Sequence, residues 1–74
     1  MNDFRKRITT NPNILTGKPT VAGTRIPVEL ILKKLAQNTS IDEILSDFPR
    51  LTRKDVQAAI LYAEKLVEEQ VTVH

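Results

Sequence analysis

Four prolines, at positions 12, 19, 27 and 49, decide where helices can run in this chain. A proline ring fixes φ, removes an amide donor and pushes the preceding residue out of the helical region. Three of the four fall early. Arg7 to Thr10 reads as a short strand, and Asn11-Pro12-Asn13 is a turn in which proline sets φ and asparagine tolerates the left-handed region. Gly17-Lys18-Pro19-Thr20-Val21-Ala22-Gly23-Thr24-Arg25 alternates punctuation with β-formers, and Gly23 suits the positive-φ position of a type II turn. Residues 7–26 are therefore expected to form a β element with loops.

Beyond Pro27 the period changes to that of a helix. Val28, Ile31, Leu32, Leu35 and Ala36 form one apolar stripe, Glu29 and Lys33 an i, i+4 pair, and Asn38 can close the helix in the left-handed region. With Pro27 as its first residue, the helix is expected over Pro27 to Gln37. Ser40 and Glu43 have the spacing of a capping box ahead of a second stripe of Ile41, Ile44, Leu45 and Phe48, and Pro49 stops that helix near Asp47. Thr52 is the next N-cap, with Asp55 at the third helical position and Leu51 with Val56 as a hydrophobic staple. The third helix is expected to reach about Gln70, burying Val56, Ala59, Ile60, Ala63, Leu66 and Val67, with Lys54, Gln57, Leu61, Glu64 and Lys65 outward. Residues 71–74 read as a tail.

This pattern predicts a mainly α fold, a three-helix homeodomain-like or winged helix-turn-helix domain with a small N-terminal β element. The expectation is a single domain over 1–74, with the helix-turn-helix in 27–70. A chain of 74 residues hides only about 60% of the surface its unfolded form exposes. It has no cysteine and a single histidine, His74, so neither a disulfide nor a Cys/His zinc centre can supply the missing stability. Association is the remaining route, and a homodimer is expected. No apolar run approaches the roughly 20 residues needed to span a bilayer, and MNDFRKRITT lacks the apolar block of a signal peptide. These features make a cytoplasmic location, with no membrane partner, the expectation.

Charge is unevenly placed: seven bases face two acids up to Lys34, and four bases face seven acids beyond it. The asymmetry points to a polyanion partner for one surface, although such bases are often simply solvated. The aromatic share of 4% argues against a base-stacking platform for single strands. A short helix, a turn and a longer helix have the lengths of a DNA-reading unit. At its turn stand Arg50, Arg53, Lys54 and Gln57, the residue types that read guanine, adenine and phosphate. The helix dipole disfavours Arg53 and Lys54 where they are, which favours a functional reason for them.

Other chemistry fails on inspection. Gly17-Lys18 is not a phosphate loop, since Pro12 stands where its first glycine belongs and Pro19 where Ser or Thr should follow. Asp42, Glu43, Asp47 and Asp55 are the residue types of a metal-dependent nuclease, but Glu43 and Asp55 have capping roles and all four fall within two helix ends. Ser40 and Thr52 lack a general base and read as caps. No catalytic, cofactor-binding or metal-binding residue is assigned, and no enzymatic activity is expected. Leu30, Leu61, Val71 and Val73 lie off the apolar stripes and suggest a partner or self-association surface.

Read together, the blocks Gly17-Lys18-Pro19 to Gly23-Thr24-Arg25-Ile26-Pro27-Val28 and Asp47-Phe48-Pro49-Arg50-Leu51-Thr52 resemble the domain-of-unknown-function family numbered 433, over roughly Ile8 to Tyr62. One departure is Asn38, where similar proteins commonly carry glycine; asparagine tolerates the same conformation. The resemblance implies a helix-turn-helix fold. For many relatives it also implies the role of an antitoxin in a type II toxin–antitoxin pair similar to VapB–VapC, one that inhibits a PIN-like ribonuclease toxin and binds its own promoter DNA. Arg25 reads first as an anchor of the β element through hydrogen bonds and second as a partner for a carboxylate; in the antitoxin setting either Arg25 or the Arg5-Lys6-Arg7 cluster would enter the acidic, metal-binding pocket of the toxin. The alternative is a protein-interaction adaptor without DNA affinity.

Overall fold

Three helices occupy the stretches that the prolines leave open. The computed structural model, which describes residues 4–70, places α1 at Val28–Ala36, α2 at Ile41–Asp47 and α3 at Arg53–Gln70. Two short strands, β1 (Ile8–Thr9) and β2 (Thr20–Val21), precede them, with 3-10 turns at Phe4–Lys6 and Leu15–Gly17. The architecture is mainly α with a small N-terminal sheet, as the periodicity predicts. Val71 and Val73 lie outside the described residues.

Pro27 is the N-cap of α1 rather than its first residue, with φ −75° and ψ 148°. The reason is the sheet: Pro27 bridges Thr20, and the Val28 N–H donates to the Pro19 carbonyl at 2.9 Å. The far end closes as expected, with Asn38 at φ 67°. Thr39 N–H donates to Lys34 O and Asn38 N–H to Leu35 O, the paired bonds of a Schellman cap. Ser40 and Glu43 form both halves of the capping box on α2, and Phe48 caps its C-terminus before Pro49.

β1 and β2 pair antiparallel, Ile8 opposite Val21 and Thr9 opposite Thr20. The turn after β2 is the expected one: Thr24 N–H donates to Val21 O at 3.0 Å and Gly23 has φ 79°. Leu15, Thr16 and Gly17 are successively left-handed, at φ 50°, 55° and 83°. Only the glycine does this without steric cost.

The core comprises Ile8 and Val21 from the sheet, Val28 and Ile31 from α1, Ile44 from α2, Leu51 from the turn, and Val56, Ala58 and Ala59 from α3. One expectation needs correcting. Ile60, Leu66 and Val67 are 42%, 42% and 59% exposed, and Ala63 is only half-buried. Burial on α3 is confined to its first turns, where α1, α2, β1 and the Phe4–Lys6 turn meet it. Beyond Tyr62 the helix outruns the body that could cover it.

Asp55 is buried at 7% exposure and joins the two halves of the molecule. Its Oδ2 accepts the Thr52 N–H at 2.9 Å, while Thr52 Oγ1 accepts the Asp55 N–H at 3.3 Å, a reciprocal cap for α3. Its Oδ1 accepts from Arg7 Nη1 at 3.0 Å. The Phe4 ring adds an edge-to-face contact with Tyr62 at 6.0 Å. We expect Asp55→Ala to cost about 2 kcal/mol, since it removes the cap and the buried partner of Arg7 together. Arg7→Ala should cost about half of that, its guanidinium being partly solvated. Urea unfolding of the two single variants and the double variant checks this, and strict additivity would show that the pair is not coupled.

Candidate functional site

The connection from α2 to α3 is short and fixed at both ends. Phe48 O accepts the Leu51 N–H at 2.9 Å, Lys34 Nζ sits 5.8 Å from the centre of the Phe48 ring, and Thr52 then caps α3. Arg53, Lys54 and Gln57 follow at i, i+1 and i+4, all exposed on the side of α3 opposite Asp55. The side chains that the sequence nominates for bases and phosphates thus share one arc at the start of a long helix. Arg53 is already engaged, donating Nη2–H to Asp42 Oδ1 of α2. Lys54 makes no ion pair among the described residues. It carries its positive charge at the positive end of the helix dipole.

Arg50 does not join that arc alone. It borders an open cleft of about 620 Å³ that Arg25 also lines, together with Thr9, Asn11, Ile14, Gly23, Thr24 and Ile26. No periodicity could have linked the two arginines, because the cleft forms only when the turn after β2 packs beside the α2–α3 connection.

The apolar candidates are dispersed. Leu30 is half-buried and lines a groove of about 510 Å³ with Leu15, Thr16, Lys18, Pro27, Glu29 and Lys33. Lys18 Nζ and Glu29 Oε1 meet at 2.7 Å across part of that lining. Leu61 is half-buried on α3 and belongs to neither hollow. Leu15 and Thr16 were missed by the sequence reading, since nothing in an Ile-Leu-Thr-Gly run announces two left-handed residues before the glycine. Three of the four carboxylates considered as metal ligands have structural partners: Asp42 holds Arg53, Glu43 caps α2, and Asp55 caps α3 and holds Arg7.

Comparison with known proteins agrees with the fold. The family model described as "Protein of unknown function (DUF433)" matches residues 8–63. An uncharacterized protein, y4eO, of Sinorhizobium fredii is 37% identical over 60 residues; the match covers 81% of this chain and 27% of the relative. The crystal structure of a DUF433 member protein from Anabaena variabilis superposes with a TM-score of 0.79 at 32% identity, over 85% of this chain and 62% of that one. The chain therefore spans less than two thirds of either relative's length.

The cap of α2 gives the region a pH signature. The Ser40 backbone N–H donates to the Glu43 carboxylate, and the Ser40 side chain adds to the effect, so the Glu43 pKa lies below its ordinary 4.5. A group whose folded pKa is lowered contributes stability that is whole above the unfolded value and is lost as pH falls through the folded one. Side-chain carboxyl NMR should give Glu43 a midpoint below 4.5, moved part of the way back by Ser40→Ala. A midpoint at the ordinary value would show that the cap does not persist in solution.

Proposed function

The chain belongs to the DUF433 family, and from that premise we propose that it is a non-enzymatic DNA-binding regulator of the antitoxin kind, acting in the cytoplasm. The observation that carries the DNA half is the exposed arc of Arg53, Lys54 and Gln57 at the capped start of α3, directly after a short helix and a fixed turn. In this reading α3 enters the major groove by its N-terminal end, Gln57 offers its amide to an adenine edge, and Lys54 and Arg50 meet the phosphates on either side. The Arg53–Asp42 pair links α2 to the start of α3 on the solvent side. The toxin half, inhibition of a PIN-like ribonuclease, rests on the resemblance carried by the GKP and GTRIPV blocks.

A homodimer is part of the proposal, and exposed Ile60, Leu66 and Val67 on α3 support it. An apolar stripe that continues past the core is what a second copy would cover, and two copies can read two half-sites of an operator. The second reading, an adaptor without DNA affinity, draws its support from the largely apolar groove beside Leu15 and Leu30.

Salt separates the two readings. Fluorescence anisotropy with duplexes from the region upstream of the gene should show two chains per duplex and binding that weakens steeply as salt rises. Lys54→Gln should reduce the salt slope by about 0.9 per bound chain, about 1.8 for two chains, on every duplex. Gln57→Ala should cost about 1–3 kcal/mol on the preferred duplex and little on others. No binding at low salt would favour the adaptor. For the toxin half, tagged protein captured from native cells should retain a PIN-like ribonuclease through nuclease treatment, and retention of some other protein in its place would end the antitoxin reading.

A further inference from the structure

Arg25 and Arg50 stand 25 positions apart in the chain and border the same cleft. Each is carried by a turn that the structure pins. Thr24 donates its hydroxyl to Val21 O at 2.8 Å and accepts the Ile26 N–H at 3.0 Å, so the backbone on both sides of Arg25 is tied down by one side chain. Arg50 lies within the turn closed by the Leu51 N–H to Phe48 O bond. Asn11 brings a third segment to the cleft. Its Oδ1 is occupied by the Asn13 N–H at 2.8 Å, which leaves the amide NH2 as the free, donating end.

The electrostatics are one-sided. The residues that line the cleft include two arginines, an asparagine and two threonines, and no acidic residue. Neither arginine forms an ion pair among the described residues. Two like charges brought to one hollow without a counter-ion repel each other, and an anion between them would relieve that cost. Donors arriving from three separate segments also surround a ligand instead of presenting a single flat fork. That arrangement suits a tetrahedral oxyanion better than a planar carboxylate.

We propose that the cleft between Arg25 and Arg50 is a phosphate-binding site. The inference rests on the DNA reading when the phosphate is that of a duplex backbone: α3 supplies base contacts, and the cleft holds the strand at the flank through the conspicuous arginine of the GTR segment. A free phosphate or nucleotide shares the chemistry and is the other source. The alternatives for Arg25 are an anchoring role within the β element and a carboxylate on an acidic partner protein, and the same experiment separates both from a phosphate site.

The test has two arms on the full chain. In the first, inorganic phosphate is titrated at constant ionic strength while the arginine Nε–Hε resonances are followed by NMR. Those of Arg25 and Arg50 should move together with one saturation midpoint, and those of Arg53 should stay. In the second, Arg25→Gln and Arg50→Gln are compared on duplex DNA with Lys65→Gln as control, Lys65 being held by Glu68 on distal α3. Each arginine variant should weaken binding at least tenfold, equally on all duplexes, with a salt slope shallower by about 0.9 per bound chain; the control should match the parent. A response in the first arm alone assigns the site to free phosphate and leaves the DNA proposal without its flank contact. A response in the second identifies the backbone as the source. DNA binding that neither variant weakens, with no saturable phosphate shift, overturns the cleft while leaving the function of α3 standing. An acetate titration that reproduces the phosphate shifts also overturns it, in favour of a carboxylate partner.

Discussion

The carboxylate of Asp55 has two oxygens, and both are committed: one to the Thr52 amide that begins α3, the other to Arg7 at the edge of the sheet. A buried charge is tolerable only when paired and hydrogen-bonded, so this placement constrains everything around it. Arg7 must lie beside α3, which brings β1 and the Phe4–Lys6 turn onto the same helix. The Ala22 N–H donates to Arg7 O at 2.7 Å, which carries the constraint on to β2 and the turn bearing Arg25. A core of nine residues, two of them alanines, is small. Part of the uniqueness of the fold therefore comes from polar groups that accept one arrangement only.

Local signals were legible because they are local. Ser40 with Glu43, Thr52 with Asp55, Asn38 after Ala36 and Gly23 in its turn each exert their effect within a few residues, and the structure keeps every one. Pro27 moved by one position because a bridge to Thr20, seven residues upstream, claimed its extended conformation. The buried face of α3 was half legible. Its apolar spacing continues through Val67, but spacing says nothing about how far the rest of the chain can reach, and nine residues of α1 with seven of α2 cover only the first turns.

The candidate site divides in the same way. Arg53, Lys54 and Gln57 could be grouped from helical spacing and are grouped in space. Arg25 and Arg50 could not, since their proximity depends on the Arg7–Asp55 clasp and on β-pairing that the sequence only hints at. The two blocks that carry the family resemblance, one around Arg25 and one around Arg50, thereby become walls of a single hollow. Their coexistence in one short chain acquires a spatial meaning that neither block has alone.

The overhang of α3 also sets a gradient of local stability. An 18-residue helix is about 27 Å long, and its first turns are welded to the core through Asp55, Val56, Ala58 and Ala59. Among the described residues its last turns have one Lys65–Glu68 pair, and the last turn itself holds no base to answer the dipole. The free energy of opening an amide must therefore fall along the helix, from that of global unfolding near Val56 toward that of an isolated peptide near Gln70. Whatever covers Ile60, Leu66 and Val67 would spread cooperativity outward to those amides, so hydrogen exchange in this half of the helix reports on assembly more directly than the structured end does.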